Sequence, residues 1–111
     1  MSEVGKIGWI DLTVPDGAAL RDFYQAVVGW RVEGVEMGGY QDYCMLPEEG
    51  GPVAGVCHAR GVNTGLPAQW LIYITVANLE QSLAAVEARG GALVRPTKVL
   101  GGHGRFACVR D

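Results

Sequence analysis

The residues with the clearest capacity for chemistry are an aspartate and a histidine that lie in apolar runs. Asp11 interrupts the alternating segment WIDLTV, and His58 closes the segment AGVCH. An unpaired carboxylate on an apolar face would cost several kcal/mol, so Asp11 is expected on the opposite face of its strand. His58, if it lies at a ligand cleft, could ligate a divalent metal through a neutral imidazole nitrogen or act as a base.

Together, Asp11 and His58 would supply two ligands of a mixed carboxylate and imidazole metal site. A third ligand could come from His103 in the GGHG loop or from a residue beyond Asp111. Each residue also has a structural interpretation: Asp11 could anchor a backbone group or an arginine, His58 could be a hydrogen-bonded strand-end histidine, and His103 could be solvated. A divalent metal (Zn, Fe, Mn or Ni) and no metal at all therefore remain equal alternatives.

Two copies of one structural unit are predicted to position these residues. A shift of 62 residues aligns WIDLTVPD at 9–16 with LIYITVAN at 71–78. The same shift places Ala26, Gly29 and Val32 on Ala88, Gly91 and Val94. Each copy thus reads as strand, Asx residue, helix, glycine and strand, which is the pattern of an internal duplication.

The capping residues predict where the two helices begin and end. Asp16 and Asn78 are suited to cap the first turn, and Gly29 and the pair Gly90-Gly91 to end each helix. Apolar residues recur at helical spacing between these limits. Further strands are predicted at 30–36, 40–46, 53–59, 92–99 and 105–109, separated by glycine-containing turns.

The tandem units resemble the vicinal oxygen chelate superfamily, which includes glyoxalase I, bleomycin-resistance proteins and extradiol dioxygenases. The likeness lies in WIDLTVPDGAALRDFYQAVVGW, with its FY pair and closing Gly-Trp, and in GGYQDYCML, GPVAGV and GHGRFACVRD. It implies an α+β fold in which two βαβββ modules form a curled mixed sheet around a cleft. One domain over 1–111 is expected, with module one at 7–59, a linker at 60–69 and module two at 70–111, its final strand missing.

The resemblance also assigns positions to the candidate site. Metal-dependent members carry ligands on the first and last strand of each module, and the matching positions here are Asp11, Tyr73 and His58. Tyr73 is expected to form a pocket wall or donate a hydrogen bond. The remaining ligand-binding candidates that we expect around the cleft are Trp9, Tyr43, Trp70 and His103.

Three functions are compatible with these expectations, two of them implied by the resemblance and the third by an open sheet edge. The chain could be a metal-dependent lyase or dioxygenase in which Asp11 and His58 are catalytic. It could instead bind and sequester a small molecule without transforming it, as drug-resistance members do. It could also be an interaction domain whose open sheet edge pairs with another chain, and we expect a homodimer.

The composition argues against several other classes. A net charge of −3, a pI near 5.3 and nine scattered basic residues are unlike a nucleic-acid-binding surface. No apolar run approaches the roughly 20 residues that would cross a bilayer, and the N-terminus MSEVGKIG lacks the features of a signal peptide. We therefore expect a cytoplasmic protein, with reduced thiols at Cys44, Cys57 and Cys108.

Overall fold

The structure, a computed structural model, describes residues 2–99 and 104–111. Its elements follow the order predicted from the repeat: strand, helix and three strands, then strand, helix and two strands. Their bounds are β1 (Ile7–Val14), α1 (Gly17–Val28), β2 (Arg31–Glu36), β3 (Gln41–Leu46), β4 (Ala54–His58), β5 (Trp70–Ile74), α2 (Leu79–Ala88), β6 (Ala92–Val99) and β7 (Arg105–Arg110). A 3-10 turn at Gly61–Asn63 lies between β4 and β5.

The strands form a mixed five-stranded sheet and a separate antiparallel pair. The order in the larger sheet is β2-β3-β4-β1-β5, and β6 pairs with β7. β1 runs parallel to β4, whereas β2–β3, β3–β4 and β1–β5 are antiparallel. This is the α+β architecture expected from the sequence, and the five-stranded sheet is not closed into a barrel.

The chain divides into two compact units. One contains Lys6–Ile74, and the other contains Thr75–Asp111 together with the residues before Lys6. The division falls after β5 because that strand pairs with β1, from Leu12 opposite Trp70 to Ile7 opposite Ile74. The candidate site described below lies entirely within the first unit.

Both helices begin at the predicted capping residues. The Asp16 carboxylate accepts a hydrogen bond from the Ala19 amide at 3.0 Å, and Asn78 accepts one from the Gln81 amide at 3.0 Å. Gly29 ends α1 with a left-handed φ of 82°, a conformation that glycine adopts without strain. Among the described residues, no helix is long and apolar enough to span a membrane.

Helix α1 covers one face of the five-stranded sheet and thereby defines its core. Met45, Ala54 and Val56 are fully buried there, and Ala18, Leu20 and Tyr24 of the helix region pack against them. Ile10, Leu12 and Val14 of β1 point to this same side, as the alternation predicted. We call this side the helix-covered face.

The opposite side of the sheet carries most of the polar groups. We call it the Asp11 face and define it by alternate residues of four strands: Trp9, Asp11 and Thr13 of β1, Asp42 and Cys44 of β3, Gly55 and Cys57 of β4, and Leu71 and Tyr73 of β5. Because side chains alternate along a strand, these residues share a surface that α1 does not cover.

Candidate functional site

Two aromatic side chains hold the carboxylate of Asp11. The indole nitrogen of Trp9 donates to Oδ1 at 2.6 Å, and the hydroxyl of Tyr73 donates to Oδ2 at 2.7 Å. Hydrogen bonds to an ionised carboxylate are shorter and stronger than neutral ones. Asp11 therefore lies on the polar side of β1, as predicted. Among the contacts described, its partners are aromatic donors.

Gly55 leaves the space that this carboxylate occupies. Asp11 and Gly55 are opposite each other in the parallel pairing of β1 with β4. A Cβ atom at position 55 would overlap Oδ1 of Asp11 and would stand 3.5 Å from the Trp9 ring. A glycine inside a strand often marks such a close approach, so this one is a signal available in the sequence.

The partners Asp11 and Tyr73 occupy equivalent positions in the internal repeat. They are separated by the 62 residues that relate the two copies, and both lie on first strands. The antiparallel pairing of β1 with β5 places Trp9 opposite Tyr73 and Asp11 opposite Leu71. The Tyr73 hydroxyl thus reaches Asp11 diagonally across the strand pair, a distance that a long aromatic side chain can span.

His58 lies on the other face of the sheet, and its predicted partnership with Asp11 is wrong. It stands opposite Val14, three residues beyond the Asp11–Gly55 pair on both strands, and three steps of alternation reverse the face. Its ring nitrogen Nδ1 accepts a hydrogen bond from the Gly17 amide at 3.2 Å, at the start of α1. The structural interpretation, a hydrogen-bonded histidine at a strand end, describes this contact.

Asp11 and His58 are not arranged to form the metal site that was considered from the sequence. Asp11 and His58 cannot share an ion because they lie on opposite faces of the sheet. Across residues 2–99 and 104–111, no three His, Cys, Asp or Glu side chains are grouped so that they could hold a metal. His103, the third candidate ligand, lies outside the described residues.

Tyr43 and Trp70 do not line the same surface as Trp9 and Tyr73, contrary to the expectation above. Tyr43 is 8% exposed in the core, with the Arg21 guanidinium 4.6 Å above its ring. Trp70 packs against that core and donates its indole hydrogen to the Tyr24 hydroxyl at 3.1 Å. Their registers explain the placement, since Tyr43 stands opposite Val56 and Trp70 opposite Leu12.

Asp42 is a buried carboxylate that the sequence analysis missed. It is 5% exposed, and its Oδ1 accepts a hydrogen bond from the backbone amide of His58 at 2.8 Å. The last ladder pair between β3 and β4 is Tyr43–Val56, so this side chain continues the pairing where the backbone ladder stops. The sequence does contain a signal for it: Asp42 and Cys44 are two residues apart in QDYCML, so an acidic residue shares a strand face with a cysteine.

The thiols on the Asp11 face are poor nucleophiles. Burial raises the pKa of Cys57 far above its ordinary value, and the charges of Asp11 and Asp42 raise it further. Burial also raises the pKa of Cys44, with smaller contributions from Glu33 and Asp11. Because the thiolate is the reactive form, neither group is activated at neutral pH. Cys44, Cys57 and Cys108 are all free thiols, as expected.

Relatives of known name align with almost the whole chain. CFP32 of Mycobacterium tuberculosis (strain CDC 1551 / Oshkosh), described as a candidate glyoxylase, is 29% identical over 109 residues. The anthracycline biosynthesis proteins DnrV of Streptomyces peucetius and DauV of Streptomyces sp. (strain C5) are 29% and 31% identical. Each alignment covers 96% of this chain but only 42% or 43% of the relative, so the chain spans less than half of their length.

A family model described as the Glyoxalase/Bleomycin resistance protein/Dioxygenase superfamily matches residues 6–111. The match includes both copies of the repeat, the strand that carries Asp11 and the strand that carries Tyr73. It agrees with the repeated order of elements and with the mixed sheet described above. This chain, with its paired first strands, belongs to the Glyoxalase/Bleomycin resistance protein/Dioxygenase superfamily.

Proposed function

We propose that this chain binds a small aromatic molecule on the Asp11 face, at Trp9, Asp11 and Tyr73, without a divalent metal shared by Asp11 and His58. The observation that carries the proposal is the double hydrogen bond that Trp9 and Tyr73 donate to Asp11. A polar group whose orientation is fixed before binding loses little freedom when a ligand arrives.

The composition of the surface supports this role. Small-molecule sites combine aromatic and apolar walls with a few well-placed polar groups. Trp9, Asp11, Leu71 and Tyr73 supply that combination, and each is only partly buried. DnrV and DauV are named for anthracycline biosynthesis, and anthracyclines contain fused aromatic rings. The names of these two relatives therefore support a flat aromatic ligand for this chain.

Titration with 1-naphthol, followed by NMR of the 15N-labelled chain, tests the proposal. Trp9, Trp30 and Trp70 each have one indole N–H group to follow, and of these three only Trp9 lies on the Asp11 face. We expect the Trp9 signal to shift most, and Asp11→Ala to weaken binding by about tenfold or more, the effect of losing a hydrogen bond to a charged group. An unmoved Trp9 signal at the solubility limit of the probe would refute the proposal.

Asp22→Ala is the matched control for that titration. Asp22 is an exposed carboxylate of α1 whose described side-chain contact is with the adjacent Arg21. Its removal should leave the binding of 1-naphthol unchanged. Equal weakening by Asp11→Ala and Asp22→Ala would show that the titration reports general charge and not the site.

Metal content provides a second test of the same proposal. After purification without added chelator, we expect substoichiometric Zn, Fe, Mn and Ni in the chain. A stoichiometric metal that is lost in Asp11→Ala, with the variant still folded by its NMR spectrum, would contradict the proposal. It would favour the alternative function, a metal-dependent lyase or dioxygenase.

A cytoplasmic homodimer remains our proposal for the assembled protein. In the described part of the chain, β5 pairs with a strand on one side only, and Ile72 and Ile74 are 57% and 53% exposed. Apolar side chains on an open strand edge favour association with another chain. Multi-angle light scattering should give twice the mass of one chain, and Ile72→Glu should give a monomer. A monomeric natural sequence would contradict this expectation.

A further inference from the structure

We infer that the molecule bound at the Asp11 face presents a hydrogen-bond donor, a hydroxyl or an ammonium group, to the carboxylate of Asp11, and that anionic molecules are rejected. This inference rests on the proposed function and adds the chemical class of its ligand. It also gives Asp11 a different task from the metal coordination that the resemblance assigned to its position.

The hydrogen-bonding capacity of Asp11 supports the inference. An ionised carboxylate has about four lone-pair positions. Trp9 donates one hydrogen bond to Oδ1 of Asp11, and Tyr73 donates one to Oδ2. The indole of Trp9 has a single N–H donor and no acceptor, and that N–H already donates to Asp11. The polar chemistry that Asp11 can still offer to a ligand is therefore acceptance.

Two further acidic residues on the same side of the sheet act in the same direction. Glu33 of β2 stands opposite Cys44 of β3, and both lie on the side of the sheet that carries Asp11. Asp42 is on the same side of the sheet, and its charge also raises the pKa of Cys57. The carboxylate of Asp11 itself repels an anion and attracts a cation or a hydroxyl hydrogen, and Asp42 and Glu33 add negative charge from two and three strands away on the same face.

The charge of Asp11 also acts on two thiols of the same face. Asp11 contributes to the raised pKa of both Cys44 and Cys57, which are on adjacent strands. The positive charge of Arg31, on the same side of β2, is directed to a loop. Its guanidinium donates to the carbonyl oxygens of Pro47 and Gly50 at 3.0 and 3.1 Å.

Four probes with one naphthalene ring separate the contributions of donor and charge. They are 1-naphthol, 1-methoxynaphthalene, 1-naphthylmethylammonium and 1-naphthoate, each titrated while the indole N–H signal of Trp9 is recorded. We expect the hydroxyl and ammonium probes to bind about tenfold or more tightly than the methyl ether, because only they donate to Asp11. The carboxylate probe should bind weakest.

Asp11→Asn tests whether Asp11 is the group that discriminates among the probes. The amide has nearly the same size and retains one acceptor oxygen, but it lacks the charge. We expect the preference for the ammonium probe over the methyl ether to fall by about tenfold, while binding of the methyl ether itself changes little. Asp22→Asn, which removes an exposed carboxylate of α1, should preserve the full preference.

The outcomes distinguish this inference from the proposed function. If no probe moves the Trp9 signal, the proposed function fails and the inference fails with it. If the methyl ether binds as tightly as 1-naphthol, or if Asp11→Asn leaves the preferences unchanged, the inference is overturned while the binding function stands. Tightest binding of 1-naphthoate would likewise overturn the inference.

Discussion

Gly55 is the residue at which a single added carbon should disturb the site most. A Cβ atom there would overlap Oδ1 of Asp11, whose side chain would have to rotate away from Trp9 and Tyr73. We expect Gly55→Ala to lower the free energy of unfolding by about 1–3 kcal/mol, the usual effect of overpacking. Urea unfolding measures this loss, and the indole N–H signal of Trp9 should shift in the same variant.

Gly51→Ala is the matched control for Gly55→Ala. Its added Cβ would meet no atom within 4 Å, so its effect on stability should be small. The two substitutions should also differ in their dependence on Asp11. In an Asp11→Ala background the overlap is relieved, and Gly55→Ala should become less destabilising. If Gly55→Ala lowers the free energy of unfolding equally in both backgrounds, Gly55 is not needed to make room for the Asp11 carboxylate.

Cys57 should make the protein less stable in mildly alkaline solution. Its pKa is raised in the folded state, so the unfolded chain loses the thiol proton first as the pH rises. The stabilising contribution is complete below the ordinary thiol pKa of about 8.5 and declines above it, by at most about 1.4 kcal/mol per pH unit. The free energy of unfolding should therefore fall from about pH 7 to about pH 10.

Cys57→Ala isolates this contribution. Urea unfolding of the variant at both pH values should show a smaller alkaline loss than the natural sequence, because the buried thiol is absent. Cys44→Ala should show a change in the same direction, since the pKa of Cys44 is also raised. Identical alkaline losses in the natural sequence and Cys57→Ala would contradict the assignment.

The Asp42 side chain stabilises the end of strand β4, beyond the last backbone pair with β3. Asp42→Ala would leave the His58 amide without the acceptor that now stands at 2.8 Å, in a nearly buried position. We expect a loss of about 1–3 kcal/mol in the free energy of unfolding, because an unsatisfied buried donor pays its full desolvation penalty. Urea unfolding and amide exchange at His58 measure the effect.

Asp42→Asn is the conservative counterpart of that substitution. The asparagine oxygen can still accept from the His58 amide, so the variant should retain more stability than Asp42→Ala and slower exchange at His58. If both variants exchange equally fast at His58, the side-chain hydrogen bond does not hold the strand end.

The order and limits of the elements could be read from the sequence because each has a local physical signal. Asp16, Asn78 and Gly29 marked helix ends through capping chemistry, and the structure confirms all three. The strands predicted at 30–36, 40–46 and 53–59 begin one residue later in the structure, and the last also ends one residue earlier. Frayed element ends account for differences of this size.

The composition of the site was less predictable, because alternation tells which residues share a face but not which face is covered. Alternation along AGVCH puts Ala54, Val56 and His58 on one face, and the structure buries Ala54 and Val56 under α1, so His58 lies on the helix-covered face as well. Only the register that sets Asp11 opposite Gly55 reveals that Asp11 and His58 point apart. Register depends on contacts between distant segments.

The two compact units should differ in how readily they open. In the described residues, no side chain of α2, β6 or β7 is buried, whereas β3 and β4 contain Met45, Ala54 and Val56 with no exposed surface. Amide groups in β6 and β7 should exchange about tenfold or more rapidly than those of β3 and β4, because local opening follows the density of buried contacts. Hydrogen exchange followed by NMR measures both groups in one sample, and equal protection would contradict the expectation.

The contact between Asp11 and Tyr73 means that the two halves of this duplicated chain are no longer interchangeable. A protein built from two identical first halves would set two aspartates against each other, and their negative charges would repel. One built from two second halves would set two tyrosines there and would have no carboxylate to receive their hydrogens. Divergence at this pair therefore makes each half depend on the other, because the hydrogen bond needs the acid of one half and the phenol of the other.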